Sequence, residues 1–226
     1  MPRMSRLCTP AIFAVLSLLF SLPACDSLYY KTMKKFGVEK RDILVKRVRA
    51  ARESQQKGKE EFKSALDRFK SVVATEGGSL DDKYSALNRE LERSEDRAKE
   101  IRDRVKAVKD VADDLFKEWE RELGQYEDRR LRAESERELG ETKRRAQTVI
   151  KAMENAEKRV DPVLQPLRDR VLFLKHNLNA AAIGALDKEL LALRTNVDAL
   201  VADLESSIAE AETFISQMDA EAASTS

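Results

Sequence analysis

Between Leu80 and Tyr126 one set of positions recurs in steps of four and three without a slip: Leu80, Tyr84, Leu87, Leu91, Ser94, Ala98, Ile101, Val105, Val108, Ala112, Leu115, Trp119, Glu122 and Tyr126. Nearly everything between them is charged. Side chains at that spacing form a narrow stripe on one helix, and the stripe stays wet unless another helix covers it. At ~1.5 Å of rise per residue such a helix is roughly 70 Å long. The chain is therefore expected to build rods, and a thick core of the kind that shapes an enclosed active site is not expected. Composition agrees. Charged residues make up 37% of the 226, and 7 Gly and 5 Pro interrupt them, where an average soluble domain has about 25% charged residues.

The first 24 residues read as an address. Arg3 and Arg6 give a basic start, and Ala11 to Leu22 is an apolar run. It is shorter than the roughly 20 residues needed to cross a bilayer and suits an export signal. It closes on Leu22-Pro23-Ala24-Cys25. A Leu three positions before a Cys, with a small residue just before the Cys, resembles the lipobox of bacterial lipoproteins. That resemblance implies cleavage after Ala24, a diacylated thiol on Cys25 and an acylated new amino terminus. Several chains on one residue give stable attachment where one would be marginal. With Cys8 removed, Cys25 is the sole thiol, so no internal disulfide forms. Loss of Arg3 and Arg6 leaves 40 basic against 41 acidic residues, and no global field selects nucleic acid. Asp26 resembles the inner-membrane retention signal of enteric lipoproteins, a rule that varies among bacteria. The expected location is periplasm-facing, anchored to either the inner or the outer membrane.

Residues 25–41 form a tether in which Tyr29, Tyr30, Met33 and Phe36 alternate with Lys31, Lys34 and Lys35. Rings interleaved with lysines suit a headgroup interface and would attract anionic lipid; a solvated linker is the plainer alternative. The helical domain is expected over 42–219. Its first helix carries Leu44, Val48, Ala51, Gln55, Gly58, Phe62, Ala65, Phe69 and Val72 at the same spacing, with Gln55 and Gly58 as polar or empty points. Gly77-Gly78 is a stop signal and Ser79 with Asp82 a capping-box start. So short a turn makes the two helices antiparallel neighbours.

Beyond Tyr126 the register fails. Residues 128–145 are almost all charged, with Leu131 and Leu139 isolated between Gly124 and Gly140. Lacking Pro or a turn cluster, this stretch is expected to stay helical, straight or slightly bent. Apolar positions resume at Leu139, Ala146, Val149, Met153, Ala156 and Val160 with a shifted phase, the mark of a local change in supercoil. Asp161-Pro162 is a helix start, Asp as cap and Pro at the first position, and Pro166 is expected to delay it. Leu167, Val171, Leu174 and Leu178 carry the pattern on to Asn179, where a kink over 177–184 is expected. Leu186, Leu190, Leu193, Val197, Leu200, Leu204, Ser207, Ala211, Phe214 and Met218 then form a last stripe. From Asp219 the tail, with 220–226 at its end, is expected to fray.

Charge is uneven along the rods. Lys31 to Lys59 holds eleven basic residues and Asp187 to Glu221 nine acids. The two segments lie alongside one another, or the basic one faces lipid, or both are simply solvated; exposed ion pairs contribute only about 0 to 1 kcal/mol each.

Chemistry is sparse. His176 is the sole histidine, which leaves no Cys/His zinc set and no ordinary His-paired nucleophile. A capping or surface role suits it. No phosphate-cradling glycine loop occurs. Carboxylate pairs such as Asp113-Asp114 belong on any wet helix face, and Trp119 falls on the stripe. No cofactor, metal or catalytic residue is expected, and the chain is not expected to be an enzyme.

The strings FGVEKRDILVKRV, EEFKSAL, LFKEWERELGQY and FLKHNLNA resemble an uncharacterised family of Gram-negative lipoproteins with predicted coiled coil, over most of residues 25–215. The resemblance implies an anchored helical rod and supplies no activity or ligand. The expected fold is all-α, an elongated antiparallel bundle or coiled coil of three or more long helices. The expected role is a structural, scaffold or adaptor protein of the cell envelope, held by acyl chains on Cys25, with a protein partner or its own copies. Two alternatives are a lipid-surface binding or remodelling protein, and a regulator or subunit of an envelope enzyme or transporter.

Overall fold

The computed structural model describes residues 40–75, 79–177 and 180–224, without the side chains of 180–189 and 224. Cys25, the tether and Gly77-Gly78 lie outside them. Five helices account for almost all of what is described: α1 (Lys40–Ala74), α2 (Leu80–Leu123), α3 (Arg129–Lys158), α4 (Val160–His176) and α5 (Ala180–Ser224). The fold is an all-α bundle of long antiparallel helices.

Every position of the first stripe, Leu44 through Val72, is buried, Gln55 and Gly58 included. The α2 stripe is buried from Leu87 to Leu115 apart from half-buried Leu91. In α5 the stripe from Leu193 to Met218 is buried. These faces meet in a square. α1 packs between α2 and α5, and the α3–α4 pair packs between the same two helices on the opposite side.

Ion pairs fix the directions. From α2 to the third rod, Glu120 meets Lys143, Lys109 meets Glu154, Arg102 meets Asp161 and Glu95 meets Arg168. In all four the two residue numbers have the same sum, as required when antiparallel helices of equal rise run side by side without slipping. From α1 to α5, Arg49 meets Asp219 at 2.5 Å, Arg52 meets Glu212 at 3.2 Å and Lys59 meets Glu205 at 3.5 Å. The basic first helix and the acidic last helix thus lie alongside one another. Lys40 with Glu118 and Arg93 with Glu61 join α1 to α2, and Arg159 with Asp203 joins the third rod to α5.

Three expectations about breaks are corrected. The chain does not run on as helix through 124–140: α2 ends at Leu123, Asp128 caps α3, and the two helices are antiparallel. The Asp128 carboxylate accepts from the amides of Arg130 and Leu131, two of the orphan donors of a helix start. Second, Asp161 is not a cap. α4 begins at Val160, with only Arg159 between it and the end of α3, so α3 and α4 act as one interrupted rod, and Asp161 pairs with Arg102. Pro162 then falls in the first turn, where its missing N–H costs nothing. Pro166 lies within α4 and does not delay it. Its missing N–H would have bonded to the Pro162 carbonyl; Asn196 of α5 donates its amide to that oxygen instead, at 3.0 Å. Third, the chain reverses after His176 where a kink is expected. Asn177 closes α4, its backbone and side-chain N–H groups donating to the Phe173 carbonyl. The helix also persists past Asp219 to Ser224, with Asp219 and Glu221 held by Arg49 and Arg145.

Ser79 stands at the α2 N-cap with extended backbone, but its hydroxyl makes no capping bond. The Lys83 ammonium spans this connection, donating to the Thr75 carbonyl at 2.5 Å.

Candidate functional site

Two places in the bundle depart from plain apolar packing. The first is a polar waist. Gln55 of α1 is fully buried, and its side-chain oxygen accepts from the Ser207 hydroxyl of α5 at 2.8 Å. One turn on, Gly58 faces Ile101 of α2 so closely that an added Cβ would lie 2.6 Å from the Ile101 Cδ1. By the ion-pair register this level also holds the α3–α4 interruption, since Arg102 meets Asp161 and Arg159 meets Asp203. The weak points of the α1 stripe therefore sit across from the break in the third rod. Around them, the Gln55 amide nitrogen and the hydroxyls of Ser54 and Ser94 are buried without a hydrogen-bond partner. Buried polar groups of this kind cost stability, and their best-attested use is to fix the register of packed helices.

The second place is the end formed by the α2–α3 turn. Arg145 with Glu221 places the last turn of α5 beside residues 141–145 of α3, and Lys40 with Glu118 places the start of α1 beside the last turns of α2. Among the described residues, α3 from Arg129 to about Glu141 has no α5 residue opposite it. The turn thus stands on a two-helix hairpin that reaches roughly 20 Å past the end of α5. This accounts for the failed register over 128–145. A helix with one neighbour has one thin strip to bury, here Ser135, Leu139 and Thr142, and its other faces carry charge.

Side chains brace the hairpin at its root. The Trp119 indole N–H donates to the Ser135 hydroxyl at 2.8 Å, and the Arg41 guanidinium lies 5.2 Å over the Trp119 ring, within the range of a cation–π contact. Lys143 binds Glu120 at 2.8 Å and sits 5.9 Å from the Phe116 ring centre. Trp119 is half-buried and structural, in keeping with its place on the stripe. At the tip, Tyr126 is 42% and Leu131 54% exposed. Around them stand exposed Arg121, Arg129, Arg130 and Arg132, with Glu122, Glu127 and Asp128. The sequence held two signals for this turn, Gly124 and the capping Asp128; the Arg41–Trp119 and Trp119–Ser135 contacts had none, because they join separate helices.

The remaining candidates are quickly placed. Cys25 lies outside the described residues. His176 is exposed in the last turn of α4. Asp113 is exposed and Asp114 half-buried on α2. Glu154, hydrogen-bonded to Lys109, holds that ammonium above the usual lysine pKa. A raised folded-state pKa stabilises at all pH below the ordinary value and is lost only in strong alkali, above about 10.5. Among the described residues, no group of three or more His, Cys, Asp or Glu could hold a metal ion. No helix there is long and apolar enough to cross a membrane.

A family model described as a protein of unknown function, DUF2959, matches residues 29–218. No curated protein matches the chain.

Proposed function

The chain belongs to the DUF2959 family, whose function is unknown, and from its own residues we propose that it is a periplasm-facing lipoprotein of a Gram-negative bacterium with a scaffold or adaptor role in the cell envelope. The observation that carries this reading is Leu22-Pro23-Ala24-Cys25 at the end of a short apolar run, some fifteen residues before the bundle begins at Lys40. Acyl chains on Cys25 would hold one end at a bilayer. The bundle then gives the molecule length and a braced, charged outer surface, which suits spacing or joining other components better than enclosing a substrate.

Two measurements test it. Cells fed an alkyne fatty acid should label the wild-type protein and not Cys25→Ser, and the variant should leave the membrane fraction. In-cell crosslinking should recover one partner, or the protein's own copies, in fixed ratio. Label retained on the Cys25→Ser protein, or a wild-type protein that stays in the soluble fraction, would defeat the reading.

A further inference from the structure

The position of the hairpin tip assigns it a ligand. The turn after α2 and the start of α1 share one end of the bundle, and Cys25 is joined to that start by residues 26–39. A chain of that length spans at most about 50 Å. If Cys25 is embedded in a bilayer, the same surface is within reach of the tip.

The tip carries what such a surface selects. Tyr126, at the outermost turn, is an aromatic residue with a polar end, a residue type enriched at headgroup depth. Leu131, in the first turn of α3, presents an exposed aliphatic side chain. Arg129, Arg130 and Arg132 project from the first turn of α3, and among the described residues none forms an ion pair. Their planar guanidinium groups match phosphate oxygens in pairs. Of the nearby acids, Asp128 is engaged as the helix cap and Glu134 lies 3.9 Å from Arg137; Glu122, Glu127 and Glu136 remain. By contrast Lys40, Lys143 and Arg145, lower on the same hairpin or beside it, are each paired with a carboxylate. Among the described residues Arg68, Arg89, Arg104 and Arg144 also lack a carboxylate partner; what marks the tip is three such arginines within four residues, beside exposed Tyr126 and Leu131.

We propose that the α2–α3 hairpin tip is a second membrane contact, with Tyr126 and Leu131 entering the interface of an anionic bilayer and Arg129, Arg130 and Arg132 binding lipid phosphates, so that the bundle stands end-on at the surface that holds Cys25. The orientation rests on the anchoring reading; the lipid affinity of the tip is tested apart from it.

The test uses residues 25–226, in which Cys25 is the sole thiol, coupled through it to a maleimide lipid in vesicles of phosphatidylcholine and phosphatidylglycerol with brominated acyl chains. An indole introduced by Tyr126→Trp reports the tip, one introduced by Leu191→Trp reports the far end, and the unsubstituted protein gives the Trp119 background. The expected result is strong quenching for Tyr126→Trp above background and none for Leu191→Trp. It should fall with Arg129→Ser, Arg130→Ser and Arg132→Ser combined, and in vesicles of phosphatidylcholine alone. Attraction of about fivefold per arginine at an anionic surface makes the triple change large. Quenching of both indoles, as for a bundle lying flat, overturns the proposal, as does quenching of neither or quenching indifferent to phosphatidylglycerol. Because coupling is chemical, failure to find acylation in cells would defeat the anchoring reading and leave this outcome standing.

Discussion

The four-rod body and the two-helix tip are made from the same helices and obey different rules. In the body each rod has two neighbours and the centre of its stripe is enclosed: Val163 and Leu164 of α4 and Val105 and Val108 of α2 are at or below 1% exposed. In the tip, among the described residues, α2 and α3 have only each other, and their buried leucines, Leu123 and Leu139, remain 9% and 6% exposed. The body is held by apolar area. The tip depends more on a cap, an indole hydrogen bond and exposed ion pairs, each contributing little. One helix pair can therefore be firm along most of its length and loose at its end, because stability follows local contact and not helix identity.

The contrast is open to attack at several strengths. The largest expected effect is Leu164→Ala, which empties a fully enclosed site and should cost about 3 to 5 kcal/mol by chemical denaturation. Leu139→Ala should cost less, about 1 to 2 kcal/mol, since a rim site can collapse or admit water. Equal costs would erase the distinction. Next is Gly58→Ala. The added methyl meets Ile101 in a filled layer and should cost about 1 to 3 kcal/mol, partly offset by roughly 1 kcal/mol of helix propensity. Ile101→Val in the same chain should recover most of the loss; no recovery would mean that the close approach is not the cause.

Smaller effects belong to the tip. Asp128→Ala should cost about 1 kcal/mol and act locally, speeding amide exchange over roughly 119–142 while 43–72 keep their protection. Exchange rising equally in both would show that the tip and body open together. Smallest is Lys143→Ala, about 0.5 kcal/mol or less and fading in high salt.

Much of the body was legible from spacing alone, because a stripe of period 3.5 can be buried in only one way. The antiparallel pairing of α1 with α2 followed from Gly77-Gly78, whereas charge left the pairing of the basic first helix with the acidic last one as one of three readings. The two features of the third rod were not legible, for opposite reasons. At 124–128 a full reversal needs only five residues, and its one strong signal, Asp128, is hidden among charges that look like any wet helix face. At Asp161-Pro162 the signals for a break are strong, yet the rod continues almost in line, because proline is harmless in a first turn and Asn196 of another helix supplies the hydrogen bond that Pro166 withholds. A partner from another helix leaves no trace in local sequence. The tip as a candidate site was unreadable for the same reason: its exposure depends on where α1 begins and α5 ends.

An even number of rods has a mechanical corollary. Arg49 grips Asp219, so the first and last strokes of the zigzag finish at one pole, while the links joining α1 to α2 and α4 to α5 occupy the other. A load between an anchored near pole and a partner on the far pole would run lengthwise through neighbouring rods, so their contacts must shear together and cannot peel apart one by one. In a single-molecule pull along that axis, the molecule should yield at higher force than when the near-pole ends are drawn apart.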